Sequence, residues 1–160
     1  MATKNDSTIA TFQHIDCVFM NLRKFSDELL SRGHLHDRSK LLPPEKSDFD
    51  KYTPNLKKMK YDSPEYRQSR KNMKNCLEHH YANNDHHPEH FKTVSDMNLF
   101  QLVEMFCDWC ASVKRNKDGN IYQSLDVNRK RFKLSKQLYC IMKNTADVFC
   151  DKKSRTKHNK

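Results

Sequence analysis

Met97-Asn98-Leu99-Phe100-Gln101-Leu102-Val103-Glu104-Met105-Phe106-Cys107-Asp108-Trp109-Cys110-Ala111-Ser112-Val113-Lys114-Arg115 is the most apolar run in the chain, and its period is that of a helix. Leu99, Leu102, Val103, Phe106, Trp109, Cys110 and Val113 share one face, with Ser95 or Asp96 placed to cap the start. Met97, Phe100, Met105 and Ala111 lie elsewhere on the surface of this helix. Gln101, Glu104, Asp108, Ser112 and Arg115 form a narrow opposite stripe in which Glu104 and Asp108 are four residues apart. Apolar residues flank that stripe on both sides. A carboxylate held there is tolerable only if a cation or strong donors neutralise it, so the alternatives are a pocket and plain solvent.

Working outward, 160 residues suit one domain with a real core, and two glycines with five prolines leave little material for hairpin turns. An all-α single-domain bundle of five to seven helices is expected, spanning 8–150 between a flexible N-terminus (1–7) and a basic tail (151–160). The mean hydropathy of −1.01 is low for a globular chain. Helical recurrence of the apolar residues nevertheless argues against disorder.

Ser7 is placed to cap a first helix through Ile9, Phe12, Ile15, Phe19, Leu22, Leu29 and Leu30, with Gly33 at its C-terminal cap. His14 lies at the margin of its apolar face. Pro43 to Tyr52 reads as one or two short turns ending before Pro54. Ser63-Pro64-Glu65 opens a third helix that runs to the paired asparagines Asn83 and Asn84 and delivers His79 and His80 to its end. Beyond the Asp118-Gly119-Asn120 turn, shorter helices are expected at 123–132 and 135–150, with Phe132, Leu134, Leu138, Ile141, Met142 and Val148 in the core.

The stretch that points to chemistry is His79-His80-Tyr81-Ala82-Asn83-Asn84-Asp85-His86-His87-Pro88-Glu89-His90, which holds five of the nine histidines. Imidazole is the commonest protein ligand for zinc, iron and nickel. Pro88 can open a further turn that spaces His87 and His90 three apart. Other ligand candidates are His14, the pair His36-Asp37, Glu104 and Asp108. Adjacent His and Asp leave a regular helix on different sides, so both reach one ion only at an irregular turn. Glu45 is a candidate acid or base, or else a first-turn glutamate facing water.

The formal charge is +10, and the tail Lys152 to Lys160 carries five of those charges without an acid. A second cluster, Arg129-Lys130-Arg131-Phe132-Lys133, could join it in a patch that attracts phosphate, on nucleic acid or on a small nucleotide. No secretory segment or long apolar run is present, so a cytoplasmic, non-secreted, non-membrane protein is expected. The six cysteines lack a disulfide spacing and read as small buried hydrophobes. P-loop, GxGxxG, HExxH, EF-hand and GxSxG motifs are all lacking.

The order His14, His36-Asp37, His80, His86 or His87, then Asp108, resembles the HD-domain superfamily of metal-dependent phosphohydrolases. Three longer signatures, 36–40, 84–90 and 102–109, are similar to a small uncharacterised family of HD-like proteins in bacteria, phages and large DNA viruses, over roughly Phe12 to Asn144. The resemblance implies a helical bundle holding one or two divalent ions (Mn, Fe, Co or Zn). His14, His36, Asp37 and Asp108 would bind the first, and His80 and His87 a second. His86 and His90 compete for the latter role, and Glu104 competes with Asp108. Hydrolysis of a nucleotide or other phosphoester follows, with Arg38 and Lys40 on the phosphate and Lys40, Glu45 or Glu104 as catalytic groups. The alternatives are a di-iron oxygenase, and a non-catalytic metal-stabilised domain that binds nucleic acid or a protein.

Overall fold

The computed structural model describes residues 6–56, 59, 63–115 and 119–150. The basic tail 151–160, residues 1–5 of the expected flexible N-terminus and Asp118 of the expected turn lie outside them. The fold is all-α, and no strand occurs among the described residues. The helices are α1 (Thr8–Leu35), α2 (Glu45–Leu56), α3 (Pro64–Asn72), α4 (Lys74–Asn83), α5 (Leu99–Val113), α6 (Ile121–Phe132) and α7 (Lys136–Phe149). Short 3-10 turns occur at Arg38–Leu41, Pro88–His90 and Val94–Asp96. The region expected to be helical divides into two units, 1–36 and 37–160.

The first unit is the single 28-residue helix α1, which has no buried residue. Ser7 is its N-cap residue as expected but makes no side-chain capping bond, and Asp6 accepts from the Thr8 N–H at 2.9 Å. Gly33 does not end it. Its φ is not positive, and the helix continues for two residues to a cap at His36. The left-handed residue expected at the glycine is Asp37 (φ 58°, ψ 13°), because a short polar side chain tolerates that region better than other non-glycine residues do.

In the second unit α5, α6 and α7 share a core of Met97, Met105, Phe106, Trp109, Cys110, Ile121, Tyr122, Leu125, Leu134, Met142 and Ala146. Leu125 and Ala146 are wholly enclosed, and Trp109 stacks on Phe132. Burial of a side chain the size of Leu125 or Met105 is worth about 1.5–3 kcal/mol. Asn98 caps α5, not Ser95 or Asp96, and it exchanges hydrogen bonds with Gln101 in a capping box. Asp96 pairs instead with Thr93 at the preceding turn. The buried face of α5 holds Phe106, Trp109 and Cys110 as expected, with Leu102 and Val113 packed at its edge. It differs at two places: Met105 is enclosed, and Leu99 in the first turn is 66% exposed.

Other expectations need correction. Pro54 lies inside α2, where the last turn tolerates one lost hydrogen bond. The expected 63–83 helix breaks at the buried Met73 into α3 and α4, although Ser63 and Pro64 open it as predicted, with Ser63 accepting from Tyr66 N–H. Ile141 and Val148 are exposed, and Ala146 takes the inward position on α7. Cys17, Cys107 and Cys140 are exposed rather than buried. Gly119 is required where it stands, since a Cβ there would lie 1.7 Å from the Val113 carbonyl oxygen.

Candidate metal centre

Four stretches of the second unit converge on one point. The first is the turn after Asp37. Its left-handed backbone lets the Lys40 N–H bond back to the Asp37 carbonyl at 3.0 Å, and the Lys40 Nζ holds Asp37 Oδ2 at 2.6 Å. Lys40 also lies 4.9 Å over the Phe49 ring, which fixes its stem. With Oδ2 occupied by the ammonium, Oδ1 is the oxygen turned to the centre.

The second is Glu45, the first residue of α2, where the helix dipole favours a carboxylate even at full burial. Its Oε1 lies 2.8 Å from His79 Nδ1, its Oε2 2.8 Å from His80 Nδ1, and Oε2 accepts from the Ser39 hydroxyl at 2.9 Å. Burial pushes the Glu45 carboxyl upward, but the hydrogen bonds from His79, Ser39 and His80 outweigh it and hold the group below its ordinary range. The third stretch is the end of α4, which supplies His79 and His80. His80 is enclosed, whereas the side chain of His79 is 41% exposed.

The fourth is Asp85-His86-His87, and α5 receives it residue by residue. Gln101 donates to Asp85 Oδ2 at 2.7 Å, Glu104 Oε1 lies 3.2 Å from His86 Nδ1, and the charge of Asp108 acts on His87. The polar stripe of α5 is therefore a lining of this site. Burial, with the neighbouring rings of His86 and His80, pushes His87 down to about 3 despite the opposing pull of Asp108 and Asp37. His87 is a neutral imidazole near pH 7.

At the centre, His80 Nε2 lies 2.9 Å from His87 Nε2 and 3.1 Å from Asp37 Oδ1, while His86 Nε2 lies 3.5 Å from the same oxygen. One ligand atom from each of Asp37, His80, His86 and His87 falls within 4.8 Å of all the others. Metal–ligand bonds of about 2.0–2.2 Å give ligand–ligand edges of about 2.9–3.5 Å between right-angled and tetrahedral geometry, and the His80–His87, His80–Asp37 and His86–Asp37 distances fall in that range. Hydrogen bonding explains the aim of the rings. If His80 and His86 donate Nδ1–H to Glu45 and Glu104, each turns an Nε2 lone pair toward Asp37, and a lone pair facing a carboxylate calls for a cation between them. A carboxylate behind a ligating histidine is the usual means of fixing its tautomer. Asp37, Glu45 and Glu104 each bring a carboxylate oxygen within 3.2 Å of an imidazole nitrogen of His80 or His86. The cluster could hold a metal ion.

The expected ligands are only partly brought together. Asp37, His80 and His87 meet, His86 joins them rather than competing with His87, and the expected ligand Asp108 brings a carboxylate oxygen within 4.8 Å of a ring nitrogen of His86. His90 is exposed and its Nδ1 lies 2.9 Å from the Tyr81 carbonyl oxygen, which draws the ring away. His14 is exposed on α1, about 33 Å of helix axis from His36, so those two are not brought together. His36 ends α1, one peptide bond before Asp37. Arg38 is exposed and Lys40 half-buried. Glu45 and Glu104, the expected proton-transfer groups, each lie against an imidazole of the cluster. Sequence reasoning overlooked Ser39 and Asn84, whose hydroxyl and amide surround His80 Nδ1 at 3.2 and 3.0 Å. A side chain that touches no ion leaves no ligand spacing to read. No described helix is long and apolar enough to cross a membrane.

Residues 3–151 match the model of one protein family, described as a family of unknown function (DUF5662). No curated protein and no solved structure matches.

Proposed function

On the premise that the chain belongs to this family of unknown function, we propose that it is a metal-dependent phosphohydrolase of HD-like type, acting on a nucleotide or another phosphoester. The observation that supports the reading is the convergence of Asp37, His80, His86 and His87, two of whose rings are backed by acidic side chains of low exposure. Those four residues would hold the ion. Histidine with carboxylate suits Mn, Fe, Co or Zn better than Mg or Ca, which prefer an all-oxygen shell. When bound, such an ion lowers the pKa of a coordinated water toward about 7 and polarises a phosphoryl oxygen.

The remaining residues have assignable parts. Glu45 and Glu104 orient His80 and His86 and make each ring a stronger donor toward the ion. Lys40, already beside Asp37, supplies positive charge where a phosphate would approach, and Arg38 extends it toward solvent. Lys40 also screens Asp37 from the other carboxylates. Asp108 keeps the wall near His87 negative, which favours a cation there.

Protein purified without added metal tests the reading. Addition of Mn or Zn should raise the melting temperature, and metal analysis should give at least about half an equivalent per chain. With metal, phosphate release from a nucleotide panel should disappear in Asp37→Ala and His80→Ala. Failure to bind any of these ions removes the proposal. Metal binding with oxygen uptake but no phosphate release would replace hydrolysis by oxygenase chemistry.

A further inference from the structure

α1 is the part of the molecule that the metal centre leaves unexplained. Ile9, Phe12, Ile15, Val18, Phe19, Leu22 and Leu30 are each between 42% and 74% exposed on this one helix. Together they present on the order of 800 Å² of apolar surface, above the roughly 300–600 Å² of the largest patch on a typical monomer and close to the roughly 800 Å² each partner buries in a standard interface. The spacing is a heptad. Phe12, Ile15, Phe19, Leu22, Ser26, Leu29 and Gly33 fall alternately at the two seam positions, a pattern read by a second helix rather than by a flat surface.

We propose that α1 of one chain pairs antiparallel with α1 of a second copy, making a two-fold dimer. One register serves the whole helix. It sets Phe19 against Leu22 of the other copy, Phe12 against Leu29, which is half-buried in its own chain, Ile15 against Ser26 and Thr8 against Gly33, and it leaves only the last two residues overhanging. Ser26 fits a seam because its hydroxyl is already bonded to the Leu22 carbonyl at 2.9 Å. A Cβ built on Gly33 meets nothing within 4 Å, so the space beside it is available to Thr8 of the second copy.

The flanking positions select the orientation. In the antiparallel pair Asp16 meets Arg23 of the other copy, twice by symmetry, and Ile9 meets Leu30, two of the more exposed apolar residues of the helix. Parallel pairing sets Asp16 beside Thr11 and Arg23 beside Val18, with no charge satisfied. Antiparallel helices also place each N-terminus near the other's C-terminus, where the macrodipoles attract. An isologous contact of this kind closes at two copies.

Sedimentation of the full chain over a wide concentration range tests the pairing. A dimer is expected, with Phe19→Lys monomeric at unchanged helical content. A monomer at every concentration, or a dimer indifferent to Phe19→Lys, overturns the proposal. Asp16→Arg and Arg23→Asp should each weaken dimerisation about tenfold, since each removes two pairs, and the double variant should restore it. Dimers broken by Phe19→Lys without rescue by the double exchange would overturn the antiparallel register. These readouts do not involve metal, so they stand apart from the proposed hydrolase.

Discussion

Glu45→Gln separates the two things the buried carboxylate does, since the amide keeps the size and loses the charge. Glu45 contacts two imidazoles, but only His80 belongs to the converging set, so the effect on metal must pass through that ring. The amide oxygen of glutamine can still accept from one ring, and the Ser39 hydroxyl remains 3.2 Å from His80 Nδ1. Loss of a partner behind a ligating histidine costs about 10- to 100-fold in affinity, and with this residual support a loss near tenfold is expected, about 1.4 kcal/mol. Calorimetric titration of Mn or Zn into metal-free protein measures it. The same variant carries a pH signature. Glu45 is held below its unfolded value, so its contribution to stability is complete above about pH 4.5 and is lost as pH falls through the folded value. The melting temperature of the metal-free protein should fall on acidification below that point, and Glu45→Gln should flatten the fall. Affinity within about threefold of wild type, with helicity intact, would refute the role given to Glu45.

The rings of the histidine-rich stretch should be unequal. His86→Ala should lower metal affinity by about 100-fold or more, while His90→Ala, at an exposed ring, should change it less than about twofold, both by the same titration. Gly119→Ala drives a methyl into the Val113 carbonyl, so a loss of about 2–4 kcal/mol is expected, seen as a melting temperature lower by roughly 5–10 °C. Cys110 Sγ lies 3.5 Å from Cys150 Sγ, and diamide should join them, read as a loss of two hydrogens by mass and abolished in Cys150→Ser. Burial, then the contact with Cys150, raises the Cys110 thiol, so the reaction should be slow at neutral pH and accelerate as pH rises.

Much of this was legible in the sequence where one local rule governs. Ser63-Pro64 starts a helix, Asn83-Asn84 ends one, and the 97–115 period is helical, because caps and periodicity act within a few residues. The polar stripe of α5 was also visible, as was its need for a partner. That histidines face it was expected from the resemblance, but the pairing of Gln101, Glu104 and Asp108 with residues 85, 86 and 87 in turn arises only through the tertiary fold. Glu45 shows the same limit more sharply. At the head of a helix it reads as an ordinary first-turn acid facing water, and only the packing of α2 on α4 buries it between two rings. Gly33 misled for a different reason. A glycine permits a left-handed stop but does not impose one, and four residues later an aspartate made it instead.

Position 37 answers to two demands that usually fall on separate residues. Its main chain must turn the way L-amino acids avoid, and its side chain must present an oxygen to the converging histidines. Asparagine meets the first demand and glycine meets it more easily, but neither brings the charge. Glutamate brings the charge on a longer arm and on a backbone less suited to the bend. The path of the chain and the chemistry of the centre are thus set by one α-carbon, and a change there that spares one function should still be felt in the other.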